Sequence, residues 1–209
     1  MYFISREFFR IILLFFGRLK ILGRENVPSK GGLIVAPNHV SFLDPPVTGM
    51  GVNRLVRFIA KQELFDAPVF GKWMYAIGSF PVRRGTADRR AIKNALDCLE
   101  RGEVLGIFPE GRRSPNGELQ EPELGIGLFA LKSKVPVVPL AIIGTDKVLP
   151  PGAKLPHFAK VVAIYGKPMT FPDLYDSPSS REAFQEVGKR IMTTIAEMKA
   201  DYLSGRISW

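Results

Sequence analysis

The chain has 209 residues, 46% of them hydrophobic, and its 29 Lys and Arg against 20 Asp and Glu give a formal net charge of +9. This length suits one domain with a small appendage, and the basic surplus favours anionic partners such as a phosphorylated substrate, an anionic membrane or nucleic acid. A generally basic, solvated surface is the plainer alternative. The single cysteine, Cys98, excludes an internal disulfide and a metal cluster built from cysteines. We expect Cys98 in the core, since it stands at an apolar helical position.

Residues 1–26 form a basic, aromatic segment that we predict to be an amphipathic helix at a membrane surface. The first 24 residues hold five basic groups, one acid and six Phe or Tyr. The longest uninterrupted apolar stretch, Ile11–Phe16, is far short of the about 20 residues that a membrane-spanning helix needs. Aromatic rings in the acyl boundary and arginines among the headgroups fit a helix that lies in the interface. The alternative is a first helix packed on the core of the domain that follows, residues 27–209.

Strand patterns alternate with helix patterns over that domain. We predict strands in GGLIVAPNH, at Val56–Ala60, and in IGSFPVRRG, EVLGIFPEG, VPVVPLAIIG and KVVAIYG, of which the first and the fourth are predicted to be buried. Pro136 and Pro139 predict an edge or irregular position for the fifth of these, because proline cannot donate to a central ladder. The alternation predicts an α/β domain with a mixed, mostly parallel sheet flanked by helices and with functional loops at the strand ends.

Three longer helices are predicted between and after these strands. TADRRAIKNALDCLERG can be capped by Thr86 or Asp88, and GIGLFALKSK follows it. SSREAFQEVGKRIMTTIAEMKA closes the domain with a Ser179/Glu182 capping box. The closing helix carries an apolar face of four residues: Phe184, Val187, Ile191 and Ile195.

The segment APNHVSFLDPP places His39 and Asp44 five positions apart, which is not the spacing of neighbours on one helix face. Aspartate is a preferred helix N-cap, and Pro45 and Pro46 are tolerated in a first turn. We therefore predict that Asp44 opens a helix while the preceding loop folds His39 back towards its carboxylate. Such a pair is a general base with its orienting group. Since no Ser or Cys stands at a G-x-S-x-G elbow, the base would activate a substrate hydroxyl directly. The alternative is a structural histidine in a loop.

A second candidate site is the basic loop in GIFPEGRRSP, which follows a predicted buried strand. Glycine allows close approach to the backbone, arginine pairs bidentately with phosphate oxygens, and the Ser114 hydroxyl adds a hydrogen-bond donor. Arg83, Arg84 and Lys61 stand near the ends of two other strands. Together these cations predict a phosphate site at the strand ends, with an exposed, solvated loop as the alternative.

Four segments of the chain resemble the four sequence blocks of the glycerolipid acyltransferases, a family that includes the lysophosphatidic acid (1-acylglycerol-3-phosphate) acyltransferases. NHVSFLD is similar to their H-x4-D motif, and GSFPVRRG, FPEGRRS and VPVVPLAI follow in the family's order. The four segments span residues 38–142, about half of the chain. One H-x4-D is common by chance, whereas four blocks in order are a specific signal.

The resemblance implies roles for the matching residues. His39 would take the proton from an acceptor hydroxyl and Asp44 would orient it, while the acyl thioester is attacked without a covalent acyl-enzyme. No metal and no cofactor are implied, with acyl-CoA or acyl-carrier protein as the co-substrate. Pro139 belongs to the block linked to the acyl donor. The residues implied to bind the phosphorylated acceptor are Lys61, Arg84, Glu110, Gly111, Arg112, Arg113 and Ser114.

The expected activity is therefore acylation of lysophosphatidic acid to phosphatidic acid, at the cytoplasmic face of a membrane to which the protein is bound peripherally or monotopically, without a nucleic-acid partner. Another acceptor such as glycerol-3-phosphate, hydrolysis of the thioester, and non-catalytic binding to an anionic surface are the alternatives. The chain departs from the family pattern at Arg112, where threonine is usual, and at Glu123, where many relatives have lysine.

Overall fold

The structure is a computed structural model that describes residues 1–83, 88–150, 152–153, 155–176 and 180–206. In these ranges one seven-stranded sheet has the order β1-β7-β6-β2-β5-β3-β4, in which β6 and β7 pair antiparallel and the other neighbours are parallel. The predicted mixed, mostly parallel sheet is thus confirmed. The strands are β1 (Lys20–Leu22), β2 (Leu33–Pro37), β3 (Val56–Lys61), β4 (Phe80–Val82), β5 (Val104–Gly106), β6 (Val137–Ile143) and β7 (Val162–Tyr165).

Helices cover both faces of the sheet. The α5 helix begins after Asp88, whose carboxylate accepts from the Ala91 amide at 3.0 Å, so Asp88 is the predicted cap that the structure supports, while Thr86 lies outside the described residues. The α8 helix is capped by Ser180, whose hydroxyl accepts from Ala183 N at 3.0 Å. The capping box was predicted one residue earlier, on Ser179, which lies outside the described residues. The helices are α1 (Tyr2–Phe15), α2 (Asp44–Met50), α3 (Gln62–Asp66), α4 (Phe70–Ala76), α5 (Arg89–Glu100), α6 (Leu124–Ser133), α7 (Thr145–Val148) and α8 (Arg181–Leu203), with 3-10 turns at Arg24–Asn26 and Pro172–Leu174.

The central strands are apolar on both faces because each face meets a helix layer. Ile34 packs in a cluster with residues of α5, α6 and α8, whereas the next residue, Val35, packs in a second cluster with residues of α1 and α2. Cys98 lies in the first cluster with no exposed surface, as predicted, and burial raises the pKa of its thiol to about 12.

Pro139 lies in β6, a central strand between β7 and β2, so the predicted edge position is wrong and the predicted irregularity is right. Gly166 N donates to Pro139 O at 2.8 Å, and pairing resumes at a bridge between Val137 and Met169. Between these contacts two residues, 167 and 168, lie opposite one residue of β6, as in a β-bulge. The bulge falls where proline has no N–H to offer, which is how a central strand accepts it.

The predicted 1–26 segment divides into a helix and a sheet strand. One side of α1 packs on the domain, with Leu13 fully buried and the Trp73 indole N–H donating to Ser5 Oγ at 2.9 Å. Beyond the helix, β1 pairs with β7, so residues 20–22 belong to the sheet. In the described part of the chain, no helix combines the length and apolarity that crossing a bilayer requires. The other side of α1 leaves large apolar side chains exposed: Phe3, Ile4, Phe8, Ile11, Leu14 and Phe15.

Candidate active site

Asp44 is the first residue of α2, and its fully buried carboxylate turns back into the loop before it. Its Oδ2 atom accepts from Val40 N at 2.6 Å and Ser41 N at 2.7 Å, and lies 2.9 Å from His39 Nδ1. The predicted proximity of the two side chains is confirmed. The predicted N-cap role is wrong, because Leu43 is the capping position and no side chain caps the helix. With prolines at the next two positions there are few amides for a cap to satisfy, and the loop amides use the carboxylate instead.

The contact with Asp44 fixes the tautomer of His39. An ionised carboxylate can only accept hydrogen bonds, so the Nδ1 atom carries the proton and the Nε2 atom keeps its lone pair. The Phe108 ring stacks on the imidazole with centroids 3.9 Å apart and planes 23° apart. The imidazole remains 18% exposed. A fixed, partly accessible imidazole whose Nε2 has no hydrogen-bond partner among the described residues has the properties of a general base.

The FPEGRRS loop, residues 108–114, binds both the amide and the carbonyl of His39. Its amide donates to Glu110 Oε1 at 2.9 Å, and its carbonyl accepts from Ser114 N at 2.8 Å. Glu110 is 1% exposed, and its Oε2 also accepts from Gln120 N and Nε2, both at 3.3 Å. Burial raises the pKa of the Glu110 carboxyl, against the opposing effect of these hydrogen bonds. Of the predicted acceptor ligands, Glu110 and Ser114 therefore face the protein, where they position His39.

Three of the predicted acceptor-binding residues, Gly111, Arg112 and Arg113, lie at the surface of the site. The Arg113 guanidinium lies 4.0 Å from the centroid of the Phe42 ring, which is itself 69% exposed. Arg112 is exposed, and its Nε donates to Gln120 Oε1 at 3.0 Å. Gly111 has φ +65°, and a Cβ there would lie 2.7 Å from a side-chain carbon of Glu123, so the loop itself requires glycine.

The sheet brings the predicted segments to one edge. The strands β6, β2, β5, β3 and β4 are parallel neighbours in that order, so their carboxyl ends lie side by side. His39 follows β2, Glu110 follows β5, and the exposed Lys61 ends β3. Arg84, predicted beyond β4, lies outside the described residues. Among the residues that the structure describes, no three His, Cys, Asp or Glu side chains are grouped so that they could hold a metal ion.

Sequence reasoning missed two side chains that join this edge together. The Thr145 hydroxyl donates to Asp44 Oδ1 at 2.6 Å, across 101 positions of sequence. The Asn38 side chain accepts from Ile142 N at 2.7 Å and donates to Ile142 O at 3.1 Å, which joins the end of β2 to β6. Asn38 directly precedes His39 and could have been noticed there. Thr145 could be placed only with the strand order in hand.

A domain with a mostly parallel sheet, and with a His–Asp pair and a basic loop at the carboxyl edge of its parallel strands, has an arrangement suited to general-base catalysis. The chain belongs to the Acyltransferase family, whose model matches residues 18–143, more than half of its length. It is therefore an acyltransferase.

Individual relatives agree with this assignment. Over 171 residues the chain is 31% identical to the 1-acyl-sn-glycerol-3-phosphate acyltransferase of Bacillus subtilis (strain 168), covering 81% of this chain and 83% of that one. A chloroplastic 1-acyl-sn-glycerol-3-phosphate acyltransferase of Arabidopsis thaliana is 32% identical over 174 residues, and there the match spans 80% of this chain but only 48% of the plant protein. The crystal structure of the 1-acyl-sn-glycerophosphate (LPA) acyltransferase PlsC from Thermotoga maritima aligns with a TM-score of 0.75 and 27% identity, covering 93% and 78% of the two chains.

Proposed function

We propose that this enzyme is a 1-acyl-sn-glycerol-3-phosphate O-acyltransferase, which transfers an acyl group from a thioester to lysophosphatidic acid and forms phosphatidic acid. The observation that carries the proposal is the His39–Asp44 hydrogen bond beside the basic FPEGRRS loop. The names of the relatives in Bacillus and Arabidopsis support the choice of acceptor.

In the proposed reaction His39 acts first as a base and then as an acid. Its Nε2 atom takes the proton of the free glycerol hydroxyl, and the oxygen attacks the thioester carbonyl carbon. The buried Asp44 carboxylate stabilises the imidazolium that forms. When the tetrahedral intermediate collapses, the C–S bond breaks and Nε2–H returns the proton to the departing thiolate. One ester forms and one thiol is released, so no acyl-enzyme and no cofactor besides the acyl-CoA or acyl-carrier-protein co-substrate are needed.

The acceptor phosphate is proposed to bind the half-buried and exposed cations at the carboxyl edge of the sheet. Arg113 offers a guanidinium that is held over Phe42, and Lys61 ends the strand next to the one that leads into the FPEGRRS loop. Arginine pairs bidentately with phosphate oxygens, and lysine adds a point charge. Arg112 and Arg84 stay in the proposed binding set as further cations.

A lipid acceptor requires access to a bilayer, and α1 offers a surface for it. Phe3, Phe8 and Ile11 are all more than half exposed on the helix side away from the domain. We propose that this side lies in the interface of an anionic membrane, with the protein bound peripherally on the cytoplasmic face, where acyl-CoA and acyl-carrier protein are supplied.

The test is to incubate purified protein with lysophosphatidic acid and palmitoyl-CoA and to measure both free thiol and phosphatidic acid, beside His39→Ala. We expect phosphatidic acid from the wild type and none above background from a folded variant. His157→Ala is the matched control, because it removes the other histidine of the chain.

The other outcomes separate the alternative functions. If thiol is released without formation of phosphatidic acid, and is still released when no acceptor is present, the protein is a thioester hydrolase. If an acylated product forms with glycerol-3-phosphate and not with lysophosphatidic acid, the protein is an acyltransferase of the same family that acts on glycerol-3-phosphate. No thiol release with palmitoyl-CoA, and none with a palmitoyl-acyl-carrier-protein donor, would overturn the proposal.

A further inference from the structure

Thr145 makes a contact with the site that neither the sequence blocks nor the family match covers. The matched region ends at residue 143, and Thr145 follows two residues later, at the start of α7. Its side chain has no exposed surface, and its hydroxyl donates to Asp44 Oδ1 at 2.6 Å. A charge-assisted O–H···O bond of this length is among the stronger hydrogen bonds in proteins.

We propose that Thr145 is a positioning residue for the catalytic pair, a role that rests on the proposed general-base function of His39. The two oxygens of Asp44 have different partners. Oδ2 receives His39 Nδ1–H and two loop amides, whereas Oδ1 receives the Thr145 hydroxyl. Thr145 thereby fixes the plane of the carboxylate, and with it the direction from Oδ2 to the imidazole.

Removing the hydroxyl would leave Oδ1 buried without the donor that the described residues give it. A buried carboxylate oxygen without a donor carries a large desolvation cost. Rotation of the carboxylate towards other donors would relieve that cost and move Oδ2 away from His39 Nδ1. The imidazole would then lose its fixed tautomer and orientation, which slows proton transfer without removing any group that contacts the acceptor or the thioester.

The fold fixes Thr145 before substrate arrives. Asn38 binds both main-chain groups of Ile142 in β6, so the end of this strand is tied to the residue before His39. Gly144 then turns the chain with φ +87°, and a Cβ there would lie 2.1 Å from Lys160 O. Because only glycine fits that turn, the backbone delivers the next residue to one place.

Thr48 provides a matched control. It is equally buried, and its hydroxyl donates to the main-chain carbonyl of Asp44 at 2.7 Å rather than to the carboxylate. Like Thr145→Val, replacement of Thr48 by valine removes one buried threonine hydroxyl that donates a hydrogen bond to Asp44. It should cost stability as Thr145→Val does, and should leave the direction of the carboxylate unchanged.

The test is steady-state kinetics with lysophosphatidic acid and palmitoyl-CoA, with thermal unfolding of each variant. For Thr145→Val we expect kcat to fall about 10- to 100-fold, as for loss of one hydrogen bond to a charged group, with the KM values of both substrates within about threefold. Thr145→Ser should keep kcat within about threefold of wild type, because it retains the hydroxyl. Thr145→Ala should show the same fall in kcat as Thr145→Val. Thr48→Val should keep kcat while its melting temperature falls.

An equal kcat for Thr145→Val and Thr48→Val, with both folded, would overturn the proposal. If the valine variant does not fold, the serine and alanine pair decides, and equal kcat in that pair overturns it. Should the wild type form no phosphatidic acid, the proposed function fails, and NMR of the His39 Nδ1–H proton, assigned by its absence in His39→Gln, still tests the positioning. This resonance should shift or exchange in Thr145→Val and stay in Thr48→Val, and an unchanged resonance in both overturns the proposal.

Discussion

Replacement of Asp44 by asparagine separates the charge of this residue from its geometry. The amide oxygen can take the place of Oδ2, where it still accepts from Val40 N, Ser41 N and His39 Nδ1–H. The amide nitrogen then faces the Thr145 hydroxyl, which can rotate and accept. The opposite orientation would place an NH2 group against two loop amides at 2.6 and 2.7 Å, so it is excluded. The loop should therefore keep its structure while the buried negative charge is lost.

The magnitude follows from the distance between the charges. An imidazolium and a carboxylate with charge centres about 4 Å apart attract by about 4 kcal/mol at an effective dielectric constant of about 20. Loss of that attraction in the transition state corresponds to about a thousandfold in rate. The amide oxygen keeps a neutral hydrogen bond, which offsets part of the loss. We expect kcat to fall about 100- to 1000-fold in Asp44→Asn, with little change in the KM of either substrate.

The assay is phosphatidic acid formation at saturating acceptor and donor, with circular dichroism and thermal unfolding to show that the variant is folded. The double variant His39→Ala/Asp44→Asn is the control, because residues that act as a unit do not lose activity additively. It should be no slower than His39→Ala alone. A folded Asp44→Asn enzyme with kcat within about tenfold of wild type would refute the role given to the carboxylate charge.

Three further substitutions test other parts of the structure. Glu110→Ala should lower kcat about 10- to 100-fold and leave the acceptor KM within about threefold in steady-state kinetics, because its buried carboxylate holds the amide of the base. Arg113→Ala should raise the acceptor KM about tenfold with kcat kept, since the guanidinium lies at the surface of the site. Burial raises the pKa of Glu103, but hydrogen bonds from Arg57 and Arg101 outweigh it and hold the pKa at about 2. Because that pKa is depressed, Glu103 stabilises the fold above about pH 4.5 and loses this effect as pH falls towards 2. In urea unfolding we therefore expect Glu103→Gln to be less stable than the wild type by about 1–2 kcal/mol at pH 7 and nearly equal to it at pH 2.

Each of the three has a result that contradicts it. A raised acceptor KM with unchanged kcat in Glu110→Ala would return this residue to direct acceptor binding. An unchanged acceptor KM in Arg113→Ala would remove that arginine from the phosphate site, with the exposed Arg89→Ala as the control for loss of surface charge. A stability difference for Glu103→Gln that stays constant between pH 7 and pH 2 would show that packing, not charge, is responsible.

Local patterns in the sequence predicted six of the seven described strands and the longer helices, because hydrophobic period and turn residues act over short distances, but they missed β1, which was predicted as part of the N-terminal helical segment. They also brought His39 and Asp44 together, since five residues suffice to close that loop. They could not place Pro139, because the bulge that accepts it is formed with a strand more than 20 residues later. The contact of Thr145 with Asp44 depends on the order of the strands in the sheet, which no local pattern contains.

The FPEGRRS loop explains how the chain tolerates its two departures from the family pattern. The contacts of this loop with His39 use the buried Glu110 carboxylate and the Ser114 amide, and the Arg112 side chain reaches that carboxylate only through Gln120. Glu123 likewise holds the loop through its backbone, since its amide donates to Pro109 O at 2.8 Å while its side chain is exposed. Both departures thus change charge at the surface of the site and leave the direct contacts with the base intact. They should therefore alter acceptor binding before they alter the chemical step.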